Sequence, residues 1–154
     1  MNLAEFERIW EIGEGEIRKI GWRRQYRDLV LRIHGARDKR LLPDPGDRLG
    51  FKRSVNADLT FVSCARACFD RSLEYVDSDL EEWGSAAWTI IGILEDQIRW
   101  PDREELIDRG LQFYAVSVDD GRIGWSRHWI HAVCRDLKFD VLGPVTDRQM
   151  PLRP

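Results

Sequence analysis

Hydrophobic positions recur along most of this chain at steps of three and four residues. Leu3, Phe6, Ile9, Trp10, Gly13, Ile17 and Ile20 form the first series, and Tyr26, Leu29, Val30 and Ile33 continue it to His34-Gly35. Such spacing lines one face of a helix, so it predicts amphipathic helix here, weakened at Gly13 and Gly15. The run Leu29-Val30-Leu31 is equally compatible with a short buried strand. Asn56 or Asp58 is placed to cap a second helical stretch with Val62, Ala65, Phe69, Leu73 and Val76 inward. After the turn Asp77-Ser78-Asp79, the positions Leu80, Trp83, Ala87, Ile91, Leu94 and Ile98 mark a third. Pro101 suits the first position of a fourth, with Leu106, Ile107, Gly110, Leu111, Tyr114 and Val118 as its stripe. Trp125, Trp129, Val133 and Leu137 mark the last.

Two stretches depart from this pattern. Between Ala36 and Asn56 the periodicity disappears, and Pro43, Pro45, Gly46 and Gly50 punctuate charged residues, which predicts a long loop and a candidate functional one. Residues 113–126 can also be read as a β-hairpin around Asp120-Gly121, although the helical phase from Leu106 to Tyr114 favours helix. The fold class expected is therefore mainly α. It would be a single-domain helical bundle of about five to six helices over residues 1–143, with a Pro/Gly loop at 36–56 and an extended or disordered tail at 144–154.

Composition narrows the function classes. The 154 residues are 43% hydrophobic and 33% charged, as in a globular domain with a heavily charged surface. No uncharged apolar run approaches the roughly 18 residues that span a bilayer, and Met1-Asn2-Leu3-Ala4-Glu5 lacks the basic start of a signal peptide. Three cysteines are too few for a disulfide framework. These features lead to an expectation of a cytoplasmic protein with no membrane partner.

The net charge of −3 conceals a segregation: 12 basic residues against 4 acidic ones between Ile17 and Arg53, and 14 acidic against 4 basic between Asp70 and Asp120. Asp77, Asp79, Glu81 and Glu82 make one acidic knot, and Asp102, Glu104, Glu105 and Asp108 another. Seven tryptophans are present, of which Trp22, Trp88 and Trp100 fit the stripes poorly; Trp off a core stripe is a favoured interface residue. The leading expectation is a non-enzymatic protein-binding module, inhibitor-, antitoxin- or immunity-like. It would neutralise or escort a basic partner through both acidic knots and Trp100.

Two alternatives compete with it. Arg18, Lys19, Arg23, Arg24 and Arg27, interleaved with Trp22, supply charge and stacking for nucleic acid, against an acidic overall pI of about 5.7. Helical spacing would bring Cys64 and Cys68 on one helix near His128, His131 and Cys134 on another, as in a zinc site, although the Cys-x2-Cys knuckle is absent. Catalytic signatures are missing: no Gly-x-Ser-x-Gly, no Glu-x-x-His pair, and a Gly13-Glu14-Gly15-Glu16 stretch whose acids would repel phosphate. His34, beside Arg37 and Asp38, is the one general-base candidate. No cofactor is expected.

Overall fold

The computed structural model describes residues 1–41, 53–69, 88–96, 100–119 and 127–145. These residues form mainly strand, with two short helices. The order is α1 (Leu3–Ile9), β1 (Trp10–Glu11), β2 (Glu16–Arg23), β3 (Asp28–Asp38), β4 (Val55–Val62), β5 (Arg66–Phe69), β6 (Trp88–Glu95), α2 (Arg103–Asp108), β7 (Gln112–Asp119), β8 (Arg127–Cys134) and β9 (Asp136–Pro144). All strand pairs are antiparallel, in the order β5-β8-β7-β6-β2-β3-β4-β9, with β1 on the end of β3.

The two ends of that order meet. β4 runs into β5 through Ser63–Ala65, and β8 runs into β9 through Arg135. The ladder joining β4 to β9 (Val62 opposite Asp136) resumes between β5 and β8 (Arg66 opposite Val133). Two bonds carry it across the gap: Arg135 N–H to the Val62 carbonyl at 2.9 Å and Ala65 N–H to the Val133 carbonyl at 2.7 Å. The sheet therefore closes into an antiparallel barrel, with β5 and β9 each paired on one side among the described residues. Its shortest seam is β2 against β6, where only Glu16–Thr89 and Ile17–Trp88 face each other.

Alternation of side chains fills the interior. Ala57, Leu59 and Phe61 of β4, Leu29, Leu31 and Ile33 of β3, and Tyr114, Val116 and Val118 of β7 belong to one buried core or its lining. Phe61 and Tyr114 meet across it with ring centres 5.8 Å apart. α1 packs on this core at β9. Asn2 and Glu5 form a reciprocal capping box, and Phe6, fully buried, meets Phe139 edge-on at 5.3 Å. The Met1 ammonium adds bonds to the Asp136 carboxylate and the Leu137 carbonyl. Outside the barrel, α2 covers β7 and β8 through a second cluster of Leu106, Leu111, Phe113 and Val133, with Trp100 at its margin.

The helical bundle is thus overturned, and the structure shows why the spacing misled. Of the four register shifts in the described ladders, three, at Ile17/Lys19, His34/Ala36 and Ile90/Gly92, insert an extra residue into β2, β3 and β6. A β-bulge returns the side chain three positions on to the same face. Ile17 with Ile20, Ile33 with Ala36, and Ile90 with Ile93 consequently share the barrel interior at three-residue spacing, as on a helix. Among the described residues, helix survives only at Leu3–Ile9 and Arg103–Asp108. Asn56 and Asp58 are not helix caps; they lie within β4. Residues 113–119, read preferentially as helix, are β7, paired to β8 as the hairpin alternative requires; the intervening Asp120-Gly121 lies outside the described residues. The expected loop at 36–56 is narrowed by β3, which reaches Asp38, and by β4, which begins at Val55. Pro144, placed in the tail, ends β9. Among the described residues no helix is long and apolar enough to cross a membrane.

Candidate functional site

The α2 face is built from the end of β6 outward. Asp96, almost fully buried, takes its backbone N–H to the Phe113 carbonyl at 3.1 Å and so stays in line with β7. Its carboxylate is 2.8 Å from His131 Nδ1 and accepts from Trp100 Nε1 at 3.2 Å. The small Ala115, opposite His131 on β7, leaves room for this contact across the strand. Arg66 of β5 forks onto Asp102 with two bonds of 2.5 Å and lies 5.9 Å from the centre of the Trp100 ring. That fork, first among the causes, holds the Asp102 carboxyl below the usual carboxylate range. Arg103 donates to the Asp96 carbonyl at 2.8 Å and stacks 4.7 Å from the Phe113 ring centre. A two-turn helix is marginal by itself; here Leu106 beneath it and Arg66 beside it hold it to the barrel.

What α2 turns outward is acidic with one apolar residue: Glu104, Glu105 and Asp108 are exposed, as is Ile107 at 47%. Beside it runs a cavity of about 400 Å3 between α1 and α2, floored by Leu3, Ile107, Leu111 and Phe113 and rimmed by Glu95 and Arg103. Of the partner-binding candidates, Trp100, Asp102, Glu104, Glu105 and Asp108 are therefore together on one face. Asp77, Asp79, Glu81 and Glu82 lie outside the described residues.

The nucleic-acid candidates fall around the barrel's other side. Arg18, Lys19 and Arg23 project outward from β2, while Arg24 and Arg27 sit in the β2–β3 turn. Several are engaged internally: Arg18 with Glu16 at 3.0 Å, Arg23 with Asp58 at 3.0 Å, and Arg24 with Asp28 through two bonds of 2.5 Å. Trp22 faces Leu29 and packs against the core.

The strand period also redistributes the cysteines and histidines. Cys134 and His128 share the inner face of β8, whereas His131 points outward opposite Cys68. Burial pushes the Cys64 thiol up to about 12 and raises Cys134 as well, so neither is an activated thiol. Among the described residues no three His, Cys, Asp or Glu side chains gather as a metal ion requires.

Residues that sequence patterning passed over include Arg66 and Asp96, which shape the α2 face, and Arg32, Asn56 and Asp58 on the outer face of β3–β4. No local motif marks them, because each acquires a partner far away in sequence, such as Asp102 for Arg66, His131 for Asp96 and Asp58 for Arg32. No protein-family model matches the chain, no curated protein matches its sequence, and no solved structure matches its fold.

Proposed function

We propose that this protein is a non-enzymatic binding module that captures a basic segment of a partner protein on the α2 face, neutralising or escorting it. The observation that supports the reading is the division of labour on α2. Asp102 is committed to Arg66, while Glu104, Glu105 and Asp108 are left to solvent around the exposed Ile107 and the adjoining apolar-floored cavity. Basic residues of a partner would meet the carboxylates, and an apolar side chain would enter the cavity beside Ile107. Trp100, half-buried and oriented by Asp96 and Arg66, would supply a rigid anchor at the margin. Rim carboxylates act mainly on encounter rate, so the interaction should weaken with salt through slower association.

The test is affinity purification from the native host, followed by kinetics with the purified partner. A Glu104→Lys, Glu105→Lys, Asp108→Lys variant should associate at least roughly tenfold more slowly while keeping the wild-type circular dichroism. Unchanged association by a folded variant refutes the reading. The nucleic-acid alternative predicts a mobility shift that disappears when Arg23, Arg24 and Arg27 become Ala; internal pairing of Arg23 and Arg24 weighs against it.

A further inference from the structure

The turn between β2 and β3 is strained. Arg24, Gln25 and Tyr26 all take left-handed backbone, with φ of 50°, 55° and 66°, although none is glycine. Such strain persists only where the surroundings fix the backbone. The corner between β4 and β5 does so here. Arg24 forks onto Asp28 through two bonds of 2.5 Å, and the Ser63 N–H donates to the same carboxylate at 3.0 Å. The Cys64 N–H donates to the Arg27 carbonyl at 2.6 Å. This braced tip carries Tyr26 into solvent, 63% exposed, with its ring centre 6.3 Å from that of Trp22. The tip is also positive. Asp28 offsets Arg24, but one carboxylate, Asp58, faces both Arg23 and Arg32, and the exposed Arg27 has no ion pair among the described residues.

The α2 face has the converse form. Its cavity of about 400 Å3 has Leu3, Leu111 and Phe113 as its floor, the exposed Ile107 at its lip, and Asn2 and Gln112 in its lining. Helical spacing puts Arg103 and Ile107 together on the cavity side of α2, with Glu104 and Asp108 as the adjacent pair. Carboxylates therefore flank the opening. Arg103 is the opposing cation, but it is turned to the Asp96 carbonyl and the Phe113 ring. A cavity of this size admits a phenol, whose ring suits the apolar floor and whose hydroxyl suits the Asn2 and Gln112 amides.

Building on the α2 face as a capture surface, we propose that the basic segment it takes is the β2–β3 turn of a second copy of this chain. Tyr26 enters the cavity, and Arg27 with the rest of the positive tip meets Glu104 and Asp108. Two patches that fit each other, on different parts of the barrel, make a head-to-tail contact that propagates as a ring or an open chain. A braced tip loses little conformational entropy on docking, an advantage over a flexible basic segment. One turn in one cavity buries little surface, so association is weak, in the micromolar-to-millimolar range.

Sedimentation velocity of the intact chain across a concentration series tests this. The sedimentation coefficient of the wild type should rise with concentration, and added salt should diminish the rise. A tip variant, Tyr26→Asn with Arg27→Gln, should self-associate at least roughly tenfold more weakly; the Asn side chain tolerates the left-handed backbone. A face variant, Glu104→Lys with Glu105→Lys and Asp108→Lys, should lose association to a similar extent. Mixed, the two variants should form a complex that stops at one copy of each, since each retains the surface the other lacks. Misfolded variants could not produce that recovery. A wild type that stays monomeric, variants that associate like the wild type, or a mixture that does not pair overturns the proposal. A monomeric wild type whose face variant still loses the host partner overturns self-capture alone; if the host partner is also kept, the reading of the α2 face fails with it.

Discussion

Asp58 gives the sharpest test of how the polar outer face contributes to stability. It is 2% exposed, yet its carboxylate points away from the barrel interior toward two arginines. Arg32 forks onto it with bonds of 2.9 and 3.1 Å, and Arg23 adds one of 3.0 Å. The Arg32 side chain is 30% exposed and the Arg23 side chain 48%, so the two bonds differ in worth. An exposed pair contributes about 0–1 kcal/mol, whereas breaking a shielded one by removing a partner costs about 3–5 kcal/mol. Because Arg32 retains some access to water, Asp58→Ala belongs around the lower end of that range, about 2–4 kcal/mol. For a chain of this length that corresponds to a Tm lowered by roughly 5–15 °C. Arg32→Ala should cost nearly as much, since it strands a buried carboxylate; Arg23→Ala should cost below about 1 kcal/mol, and Asp58→Asn should fall between. Thermal and urea unfolding followed by circular dichroism and Trp fluorescence, with coincident transitions, would measure the series. A double-mutant cycle should give Arg32–Asp58 a coupling above about 1 kcal/mol and Arg23–Asp58 a smaller one. Equal costs for the two arginine truncations, or an Asp58→Ala penalty under about 1 kcal/mol, would refute the assignment of the stability to the shielded fork.

Three further outcomes are expected. Asp28 accepts the Arg24 fork and the Ser63 N–H at 3.0 Å, and the Arg24 bonds hold its carboxyl below the ordinary range. A folded-state pKa lower than the unfolded one stabilises above the unfolded value, near 3.9, and the benefit is lost as pH falls through the folded value. Asp28→Asn should therefore be less stable by about 1–2 kcal/mol near neutral pH, the gap narrowing from about pH 5 downward; a gap constant down to about pH 2 contradicts this. Gln25 is exposed with φ of 55° between two other left-handed residues, so Gln25→Gly should stabilise by roughly 0.5–1 kcal/mol, and a lower Tm would count against that backbone. Titration with a thiol reagent near pH 8 should modify at most one cysteine until denaturant is added, because Cys134 is buried and Cys64 is raised to about 12; rapid reaction of all three in the folded protein would disprove it.

Local chemistry was legible where a few adjacent residues suffice. The spacing of Leu3, Phe6 and Ile9 predicts helix, and a helix spans Leu3–Ile9. Pro101 with Glu104 and Glu105 announces another, and α2 begins at Arg103. The alternation Asn56, Ala57, Asp58, Leu59, Thr60, Phe61 is a strand signal in plain view, outweighed in the sequence reading by a capping interpretation of its polar members. Of the acidic residues in 102–108, Glu104, Glu105 and Asp108 are exposed on α2, while Asp102 is taken up by Arg66.

By itself, then, the sequence determined the charge segregation and the starts of helical spacing near Leu3 and Pro101, but it extended both helices far past Ile9 and Asp108, where the structure has strand. Only tertiary structure decided the rest. In β3 and β7 nearly every position is buried, so no alternation remains to be read. In β2 and β6 bulges make strand residues recur at helical spacing, and a bulge is visible only once the partner strand and its register are known. The same dependence on register brings Arg32 to Asp58, 26 residues apart, and His131 to Asp96, 35 apart. A barrel closed by pairing between strands distant in sequence carries its sites in cross-strand rows, and those rows do not exist until the chain has folded.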